Sequence, residues 1–463
     1  MKNILFLMMV ALAMVGCSKE DDSSKTEPTP PTENKYDVTV DLKMPGTLAS
    51  NIPNKEFKTV KINGNLNGTD IKFLRGIISN LSLIDMEDAR IVEGGDSYYN
   101  ITYKTKNNVV GRFMFTELKG DFKIILPNSI KEIEYEAFLS CEGLRSIILN
   151  QNIEKIGLRA FCRCIQLTSI DIPEKITLID FETFSNCIAL EKVKLPSKLT
   201  TIDALAFNNC ESIRTIDLPE NITTIGQSAF SNCTNLTKII IPNSVANLES
   251  QAFDGCQKLS SVVLSESIMT IGESLLRKTN ISTIKIPDNV TTINDYAFND
   301  CKQLTSISIP KNVSKIGYIP FIRCGNLTKF EVDEKNLTFS TLDGAITSKD
   351  KQTFIYYPCG KKDTQYSIPE NIITIGDAAF AECNNIELIN IPSSVTSIKE
   401  RAFSSSSGLK EVHCKATIPP TLGTKYNYQA FPDNVELLYI PKGSLNKYQN
   451  SLWNKYFKTI KEE

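Results

Sequence analysis

Cysteine is the residue type through which this chain could most readily do covalent or metal chemistry, since it contains 13 cysteines. Thiols brought into one row can form disulfides, bind a metal ion, or remain reduced and buried. Ligands of a metal ion must converge on a point, so a row of side chains that point the same way is unsuited to zinc. Nine of the cysteines share one position of a repeated segment: Cys141, Cys164, Cys187, Cys210, Cys233, Cys256, Cys301, Cys324 and Cys383.

We predict that this row is a stack of buried thiols. Adjacent coils lie about 4.8 Å apart, so neighbouring thiols are close enough for disulfides on distance alone. Nine is an odd number, however, and Leu118, Thr279 and Ser406 take the same position elsewhere. The role therefore tolerates other small or apolar side chains. Outside the row, Cys162 and Cys359 are the cysteines that we expect to be exposed.

Groups suited to catalysis are scarce. His413 is the only histidine, and it falls at an outward strand position that suits a solvated polar residue. No glycine-rich phosphate loop follows a strand, and no Asp or Glu stands in an apolar context that would raise its pKa. The charges of the 51 basic and 53 acidic residues nearly cancel. The chain therefore has no overall positive electrostatic field that would attract nucleic acid. We predict no enzyme activity, no cofactor, no metal site and no nucleic-acid partner, and the oligomeric state stays open.

These residues are positioned by a segment that repeats with a period of 23 residues. It reads Ile-Pro-x-x-Ile-x-x-Ile-x-x-x-Ala-Phe-x-x-Cys-x-x-Leu-x-x-Ile-x-Ile-Pro. A period of this size is typical of a solenoid, in which each coil buries its apolar face by stacking on its neighbours. Solenoids offer long binding surfaces and seldom enclose a catalytic pocket. The phenylalanine anchors are Phe115, Phe138, Phe161, Phe184, Phe207, Phe230, Phe253, Phe298, Phe321, Phe380 and Phe403.

One repeat shows how the pattern becomes structure. Ile170 and Ile172 alternate with polar residues, as the two-residue period of a strand requires. Pro173 cannot donate to a strand ladder and so ends the strand. Phe184 then points inward from a short helical or 3₁₀ turn, and Cys187 follows as a small buried side chain.

The repeat has a strand half, Leu-x-x-Ile-x-Ile, and a turn half, Ala-Phe-x-x-Cys. In both halves it resembles the BspA-like leucine-rich repeat family of bacterial surface proteins. The resemblance covers nearly the whole mature chain. It implies a right-handed, curved repeat solenoid, mainly β with short helical or 3₁₀ turns, of about 16 strand-bearing coils with terminal caps. Proteins of this family mediate adhesion to host matrix proteins and to other bacteria, so the resemblance implies an adhesin-like role.

The N-terminus is interpreted as a sorting signal. Residues 1–16 begin with Lys2 and contain an apolar run too short to span a membrane. The run ends at Met14-Val15-Gly16-Cys17, which resembles a bacterial lipobox and implies that Cys17 carries a lipid. An ordinary signal peptide with an incidental cysteine is the alternative.

Residues 17–34 are interpreted as a disordered tether, because they are polar and contain three prolines. The acidic residues just after Cys17 resemble the surface-export signal of Bacteroides-type lipoproteins. We therefore expect an outer-membrane lipoprotein that is exposed at the cell surface and touches the membrane only through its lipid. A spacer that faces the periplasm is the alternative.

The rest of the chain divides into three parts. Residues 35–120 are predicted to form an N-terminal cap with degenerate repeats, residues 121–431 the solenoid, and residues 432–463 a capping coil and helix. The solenoid is interrupted where two successive anchors, Phe321 and Phe380, lie 59 residues apart. The turn signal Asp343-Gly344 within this interval predicts a hairpin insertion around residues 333–362.

The outward positions of the predicted strands form the candidate binding face. Ile240 beside Val263 is its one adjacent apolar pair, and an apolar centre with a polar rim is typical of protein interfaces. A plain solvated sheet would carry the same pattern. The insertion offers further contacts at Phe354, Tyr356 and Tyr357, unless these aromatics pack on the rim. The candidate face residues are Lys194, Asp217, Lys238, Ile240, Val263 and Lys285.

The function predicted from these features is that of a surface-anchored, non-enzymatic binding protein. Its partner would be a protein or glycan on a host or bacterial surface. The alternative is an accessory lipoprotein that captures glycan or peptide nutrients for an outer-membrane uptake system. Aromatic platforms on the insertions would favour that alternative.

Overall fold

The structure is a computed structural model that describes residues 35–423, 429–433 and 435–463. These residues form a β-solenoid of about 18 turns with few helices, which confirms the predicted fold class. The sequence missed the strands Val38–Leu42 and Phe457–Glu462, which pair in parallel with the strands next to them and add a turn at each end.

The N-terminal part consists of irregular turns and includes an amphipathic helix. Its elements are β1 (Val38–Leu42), α1 (Leu48–Asn51), β2 (Thr59–Leu66), α2 (Gly68–Ile77), a 3₁₀ turn (Ile78–Asn80), β3 (Leu83–Asp85), β4 (Ala89–Ile91), β5 (Gly94–Tyr99), β6 (Tyr103–Thr105) and β7 (Val109–Val110). Asn67 and Asp70 form a capping box at the start of α2, which satisfies backbone N–H groups that have no partner inside a helix. The helix buries Ile71 and Leu74.

Most regular coils contribute one strand of the Leu-x-x-Ile-x-Ile half, and most add a two-residue strand. The strands are β8 (Phe122–Ile125), β9 (Glu132–Ile133), β10 (Leu144–Ile148), β11 (Lys155–Ile156), β12 (Ser169–Asp171), β13 (Leu178–Ile179), β14 (Lys192–Lys194), β15 (Thr201–Ile202), β16 (Thr224–Ile225), β17 (Lys238–Ile240), β18 (Asn247–Leu248), β19 (Ser261–Val263), β20 (Thr270–Ile271), β21 (Thr292–Ile293), β22 (Ser306–Ile309), β23 (Lys315–Ile316) and β24 (Lys329–Val332). Equivalent strands pair in parallel, so that Ile170 lies beside Val193. The chain thus advances one coil per repeat.

The core of the regular coils is a column of phenylalanine rings. From Phe115 to Phe253, successive ring centroids lie 5.0 to 5.6 Å apart with interplanar angles of 3 to 17°. These rings are fully buried, and Leu276 continues the column as a buried aliphatic residue. Each ring therefore has a neighbour above and below it, which is why no single coil could bury its own ring.

The turn that contains each phenylalanine keeps successive coils in register. Arg159 (φ 55°) and Arg163 (φ 62°) lie in the left-handed region, and alternation of right- and left-handed residues points backbone N–H groups the same way. The N–H groups of Arg159, Phe161 and Arg163 donate to carbonyls of the next coil at 2.8 to 3.0 Å. This ladder offsets the unfavourable backbone conformation of the two non-glycine residues.

The cysteine row has a polar role that the sequence did not reveal. The Cys164 thiol donates to the carbonyl of Phe138, in the preceding coil, at 3.2 Å. The Ser406 hydroxyl makes the same bond to Phe380 at 2.6 Å. Where the residue is Cys or Ser, the position therefore holds a small donor, although Leu118 shows that an apolar side chain is also accepted. Equivalent thiol bonds of 3.1 to 3.3 Å are made by Cys187, Cys210, Cys233, Cys256, Cys301 and Cys324.

Three expectations about the cysteines need correction. Eight members of the row are free and buried as predicted, but Cys383 forms a disulfide with Cys359. Cys359 is therefore not a free exposed thiol. Cys162 is buried as well, because it lies on the turn that packs between neighbouring coils. Burial raises the pKa of the Cys162 thiol to about 11.

The interrupted interval contains a hairpin and a shortened coil. Its strands are β25 (Phe339–Leu342), β26 (Ala345–Ser348), β27 (Thr353–Tyr356), β28 (Gln365–Ser367) and β29 (Thr374–Ile375). β25 and β26 are antiparallel around Asp343 and Gly344, whereas β27 pairs antiparallel with β26 and parallel with β29. β27 thereby returns the chain from the hairpin to the parallel stack.

The three insertion aromatics proposed as contacts are buried in the core, which corrects that expectation. Phe354 and Tyr357 stack on Phe380 at 4.9 and 5.1 Å, so they take the place of the missing anchor. The Tyr356 ring packs edge-on against Phe321 at 5.8 Å, and its hydroxyl donates to the carbonyl of Gly317 at 3.0 Å. An interrupted stack leaves apolar surface uncovered, and these rings cover it.

The C-terminal end closes with an aromatic cluster. The Trp453 side chain is buried, and its indole N–H donates to the carbonyl of Pro420 at 2.8 Å. Tyr448 packs edge-on against that indole at 5.4 Å. The last coil is thereby covered, as solenoid ends require. The elements are β30 (Leu388–Ile391), β31 (Ser397–Ile398), β32 (Glu411–Cys414), β33 (Thr421–Leu422), β34 (Val435–Ile440), α3 (Leu445–Gln449), a 3₁₀ turn (Leu452–Lys455) and β35 (Phe457–Glu462).

Candidate functional site

The candidate face has Ile240 and Val263 at its centre. The two residues are direct partners on the parallel strands β17 and β19, and each is 51% exposed. Their neighbours Ile239 and Val262 point inward, because side chains alternate along a strand. The structure thus places two half-exposed apolar side chains next to each other on the surface.

The other four predicted residues are also exposed on this side of the coils, but they do not lie on one continuous sheet. β14, which carries Lys194, ends the first sheet, and the coil of Asp217 joins β17 only through a bridge between Thr215 and Lys238. The coil of Lys285 has no paired strand in the described part of the chain. The sequence could not show these breaks, since the Leu-x-x-Ile-x-Ile pattern persists through them.

Two open grooves flank the apolar pair. The first has a volume of about 410 Å³ and is lined by Asp217, Leu218, Lys238, Ile240 and Pro242, among others. The second has a volume of about 790 Å³, and its lining includes Lys285, Asp288, Ser308, Glu331 and Asp333. Both grooves occur where the strand ladder is interrupted, so the irregular coils shape the face. Shallow, mixed-charge grooves of this kind suit a macromolecular partner better than an enclosed small molecule.

The charges around the face are solvated pairs. Lys285 Nζ lies 2.6 Å from Glu266 Oε1, and this hydrogen bond raises the pKa of Lys285. Lys329 and the Ser308 hydroxyl both donate to Glu331 and lower its pKa. Exposed pairs of this type add little stability, so the rim is available to re-pair with the charges of a partner.

His413 is held more firmly than a simple solvated residue. Its ring lies between the carboxylates of Glu411 and Glu463, at 2.5 and 3.0 Å, and stacks on Tyr439 at 4.5 Å. Burial alone would lower the pKa of His413, but the two carboxylates outweigh it and raise the pKa. This arrangement ties β32 to Glu463, the residue directly after β35.

One carboxyl group departs from the expectation that none has a raised pKa. Partial burial, with a further contribution from neighbouring Glu400, raises the pKa of Asp377 to about 6. The two residues occupy adjacent coils after the insertion. Their proximity arises from coil stacking, which brings together residues 23 positions apart and which no local sequence context records.

The ladder thiols are unsuited to nucleophilic chemistry. Burial raises the pKa of Cys141 and of Cys233 to about 12, so the thiolate is scarce at neutral pH. Within the ranges that the structure describes, no three His, Cys, Asp or Glu side chains are placed to hold a metal ion. In the same ranges no helix is both long and apolar enough to cross a membrane. The predicted lipid site, Cys17, lies outside the described residues.

Sequence reasoning missed a second exposed strip, on the turn side of the coils. Tyr135 and Leu158 are 42% and 38% exposed, and Phe181 follows them at the same coil position, partly exposed. The signal was available in the sequence, since each of the three stands three residues before a phenylalanine anchor of the repeat. The outward positions of the strands do not include this strip.

The comparisons with known proteins agree with this architecture. Residues 108–237, 223–342 and 350–459 match the family model described as BspA type leucine rich repeat region. Together these segments cover most of the chain. The chain belongs to the BspA-type leucine-rich repeat family. The family indicates a binding role on a scaffold that is typically non-enzymatic, and BspA-type proteins are often found at the cell surface.

Solved structures similar to this BspA-type solenoid include two bacterial leucine-rich repeat proteins. A leucine-rich repeat protein from Bacteroides ovatus is 22% identical, with a TM-score of 0.50 over 81% of this chain and 98% of that chain. A leucine-rich cell surface protein from Faecalibacterium prausnitzii is 28% identical, with a TM-score of 0.44 over 72% of this chain and 83% of that chain. The first supports the fold alone. No curated protein matches the sequence significantly.

Proposed function

We propose that this protein is a surface-anchored, non-enzymatic binding protein whose strand face docks a macromolecule in an adhesin-like manner. The observation that carries the proposal is the paired exposure of Ile240 and Val263 in the middle of that face. Contact with a partner would remove both side chains from water, which is favourable by roughly 25 cal/mol per Å² of apolar area.

The surroundings of the pair support a protein partner. Lys238 and Asp217 border it on one side and Lys285 on the other. A central apolar contact with a polar rim is the arrangement found in protein interfaces. The rim charges would set orientation and association rate more than affinity.

Anchoring is proposed through a lipid on Cys17, with the intervening polar residues as the tether. A lipid on Cys17 would hold the protein at an outer membrane through this polar segment. The acidic residues after Cys17, such as Asp21 and Asp22, support presentation on the cell surface, because they resemble a surface-export signal of lipoproteins. An accessory role in nutrient capture would use the same anchor with a different ligand.

Whole-cell labelling tests the anchoring. Antibody to the repeat region should label intact cells, external protease should abolish the signal, and the Cys17→Ala variant should lose it. Labelling seen only in broken cells would place the protein in the periplasm and remove the adhesin-like role.

Adhesion to a panel of immobilised host matrix proteins tests the face. Ile240→Asp and Val263→Asp should each weaken adhesion by at least roughly tenfold, as loss of a central contact does. Met269→Asp is the matched control, because Met269 is 62% exposed and precedes β20 in the other strand column. Equal adhesion by all four proteins would rule out the face centred on Ile240.

A further inference from the structure

The turn side of the first regular coils carries a strip that the strand-face proposal does not use. Tyr135, Leu158 and Phe181 occupy the same position in successive coils. The Glu136 N–H donates to the Leu158 carbonyl at 3.1 Å, and the Arg159 N–H donates to the Phe181 carbonyl at 3.0 Å. Because coils repeat about every 4.8 Å, the strip presents one apolar group per coil along the solenoid axis.

The β5–β6 hairpin extends the strip at its N-terminal end. The Tyr103 ring meets the Phe113 ring edge-on, with centroids 5.2 Å apart. The Arg112 guanidinium lies 4.4 Å from the Phe113 centroid and 4.3 Å from the Tyr135 centroid. One face of Tyr135 is therefore covered by Arg112, and the residue as a whole remains 42% exposed.

A ladder of alternating charge runs beside the strip. Arg112 contacts Glu136 at 2.7 Å, Glu136 faces Arg159 at 4.0 Å, and Arg159 contacts Glu182 at 2.5 Å. The charges of the two guanidinium groups and the two carboxylates cancel, so the ladder has no net charge. Each group still has hydrogen-bonding capacity, since a carboxylate has about four acceptor sites and a guanidinium five donors.

We propose that this strip binds a neutral oligosaccharide chain. A pyranose unit is about the size of an aromatic ring, with C–H groups on its faces and hydroxyls at its edges. The C–H faces would pack on Tyr135, Leu158 and Phe181, one unit per coil. The edge hydroxyls would then meet the donors and acceptors of the Arg112–Glu182 ladder.

The geometry favours a sugar chain over a protein partner. Protein hot spots cluster in a compact centre ringed by other contacts, whereas this strip is one side chain wide and several coils long. The absence of net charge in the ladder favours an uncharged chain over an acidic or basic one. This site is separate from the strand face, so neither proposal depends on the other.

The test is calorimetric titration of the purified full-length protein with neutral hexasaccharides of glucose, mannose, galactose and xylose. At least one should bind, and Tyr135→Ala and Phe181→Ala should each weaken its affinity by about 3- to 10-fold, the value of one ring contact. Ile240→Asp should bind that sugar as the wild type does. Circular dichroism and the unfolding midpoint would show that each variant is folded.

Two results would overturn the proposal. One is no binding of any of the four sugars at about 1 mM ligand, where even weak stacking sites are occupied. The other is binding that Tyr135→Ala and Phe181→Ala leave unchanged. A negatively charged hexasaccharide of galacturonic acid serves as the charge control, and its tighter binding would contradict the neutral-ligand assignment.

Discussion

The regular coils and the interrupted segment solve the same packing problem in different ways. Between Phe138 and Phe253 every coil uses one ring, one Cys and one turn, and the rings stack at nearly constant spacing. Between Phe321 and Phe380 the same column is filled by Phe354, Tyr356 and Tyr357, which come from a shortened coil.

The difference also extends to polar and covalent contacts. In the regular coils the Cys row donates to a carbonyl of the coil before it. After the insertion Cys383 makes a disulfide with Cys359 instead. The Tyr356 hydroxyl bonds the backbone of Gly317, on the turn that precedes the insertion. A solenoid therefore requires filled volume and satisfied carbonyls, and it accepts different residues that supply them.

The largest effect is expected from the regular column. Phe207→Ala should lower the free energy of unfolding by roughly 3–5 kcal/mol, because it removes a fully buried ring and leaves a cavity. Phe207→Leu is the matched control and should cost less, since Leu276 already occupies this column. Chemical denaturation measures both, and equal, negligible losses would show that the rings do not carry the stack.

The second-largest loss of stability is expected when the disulfide is removed. Its cause lies in the interrupted segment alone. Cys359→Ala should lower the free energy of unfolding by about 2–4 kcal/mol, because the bond closes a loop of 24 residues in the unfolded chain. Reductant should have the same effect on the wild type and none on Cys359→Ala. A reductant effect that persists in the variant would mean that cysteines of the ladder are also oxidised.

The thiol ladder should show a smaller effect that depends on the donor. Cys210→Ala should cost about 1 kcal/mol, because the Phe184 carbonyl loses the thiol but keeps its bond from the Cys187 N–H. Cys210→Ser should cost less, since Ser406 makes the equivalent bond. The reverse order of the two unfolding midpoints would indicate that size alone governs the position.

The smallest effect is expected at Asp377, in the first coil after the insertion. Its raised pKa means that the folded state favours the protonated form, so its contribution to stability is present below the ordinary pKa and lost as pH rises through about 6. Asp377→Asn should therefore raise the unfolding midpoint at pH 7.5 and change it little at pH 4. A shift of the same size at both pH values would show that titration of Asp377 does not cause the difference in stability.

Much of the fold could be predicted from the sequence because most repeats keep a constant spacing of 23 residues. The spacing of Phe161, Phe184 and Phe207 predicted stacked coils, and Pro173 predicted where a strand ends. The candidate face could be placed only in part. Ile240 and Val263 were found from the two-residue period of their strands, whereas the breaks beside Asp217 and Lys285 depend on hydrogen bonds that the pattern does not encode.

The sequence by itself determined the solenoid, its period and the inward row of phenylalanines, since periodic burial depends on residue type and spacing alone. Only the tertiary structure decided which side chains of different coils contact each other. It paired Cys359 with Cys383, placed the aromatic residues of the insertion in the core, and aligned Tyr135 with Leu158 on the turn side. Each of these contacts joins residues about 23 or more positions apart, and their distance depends on how the coils stack.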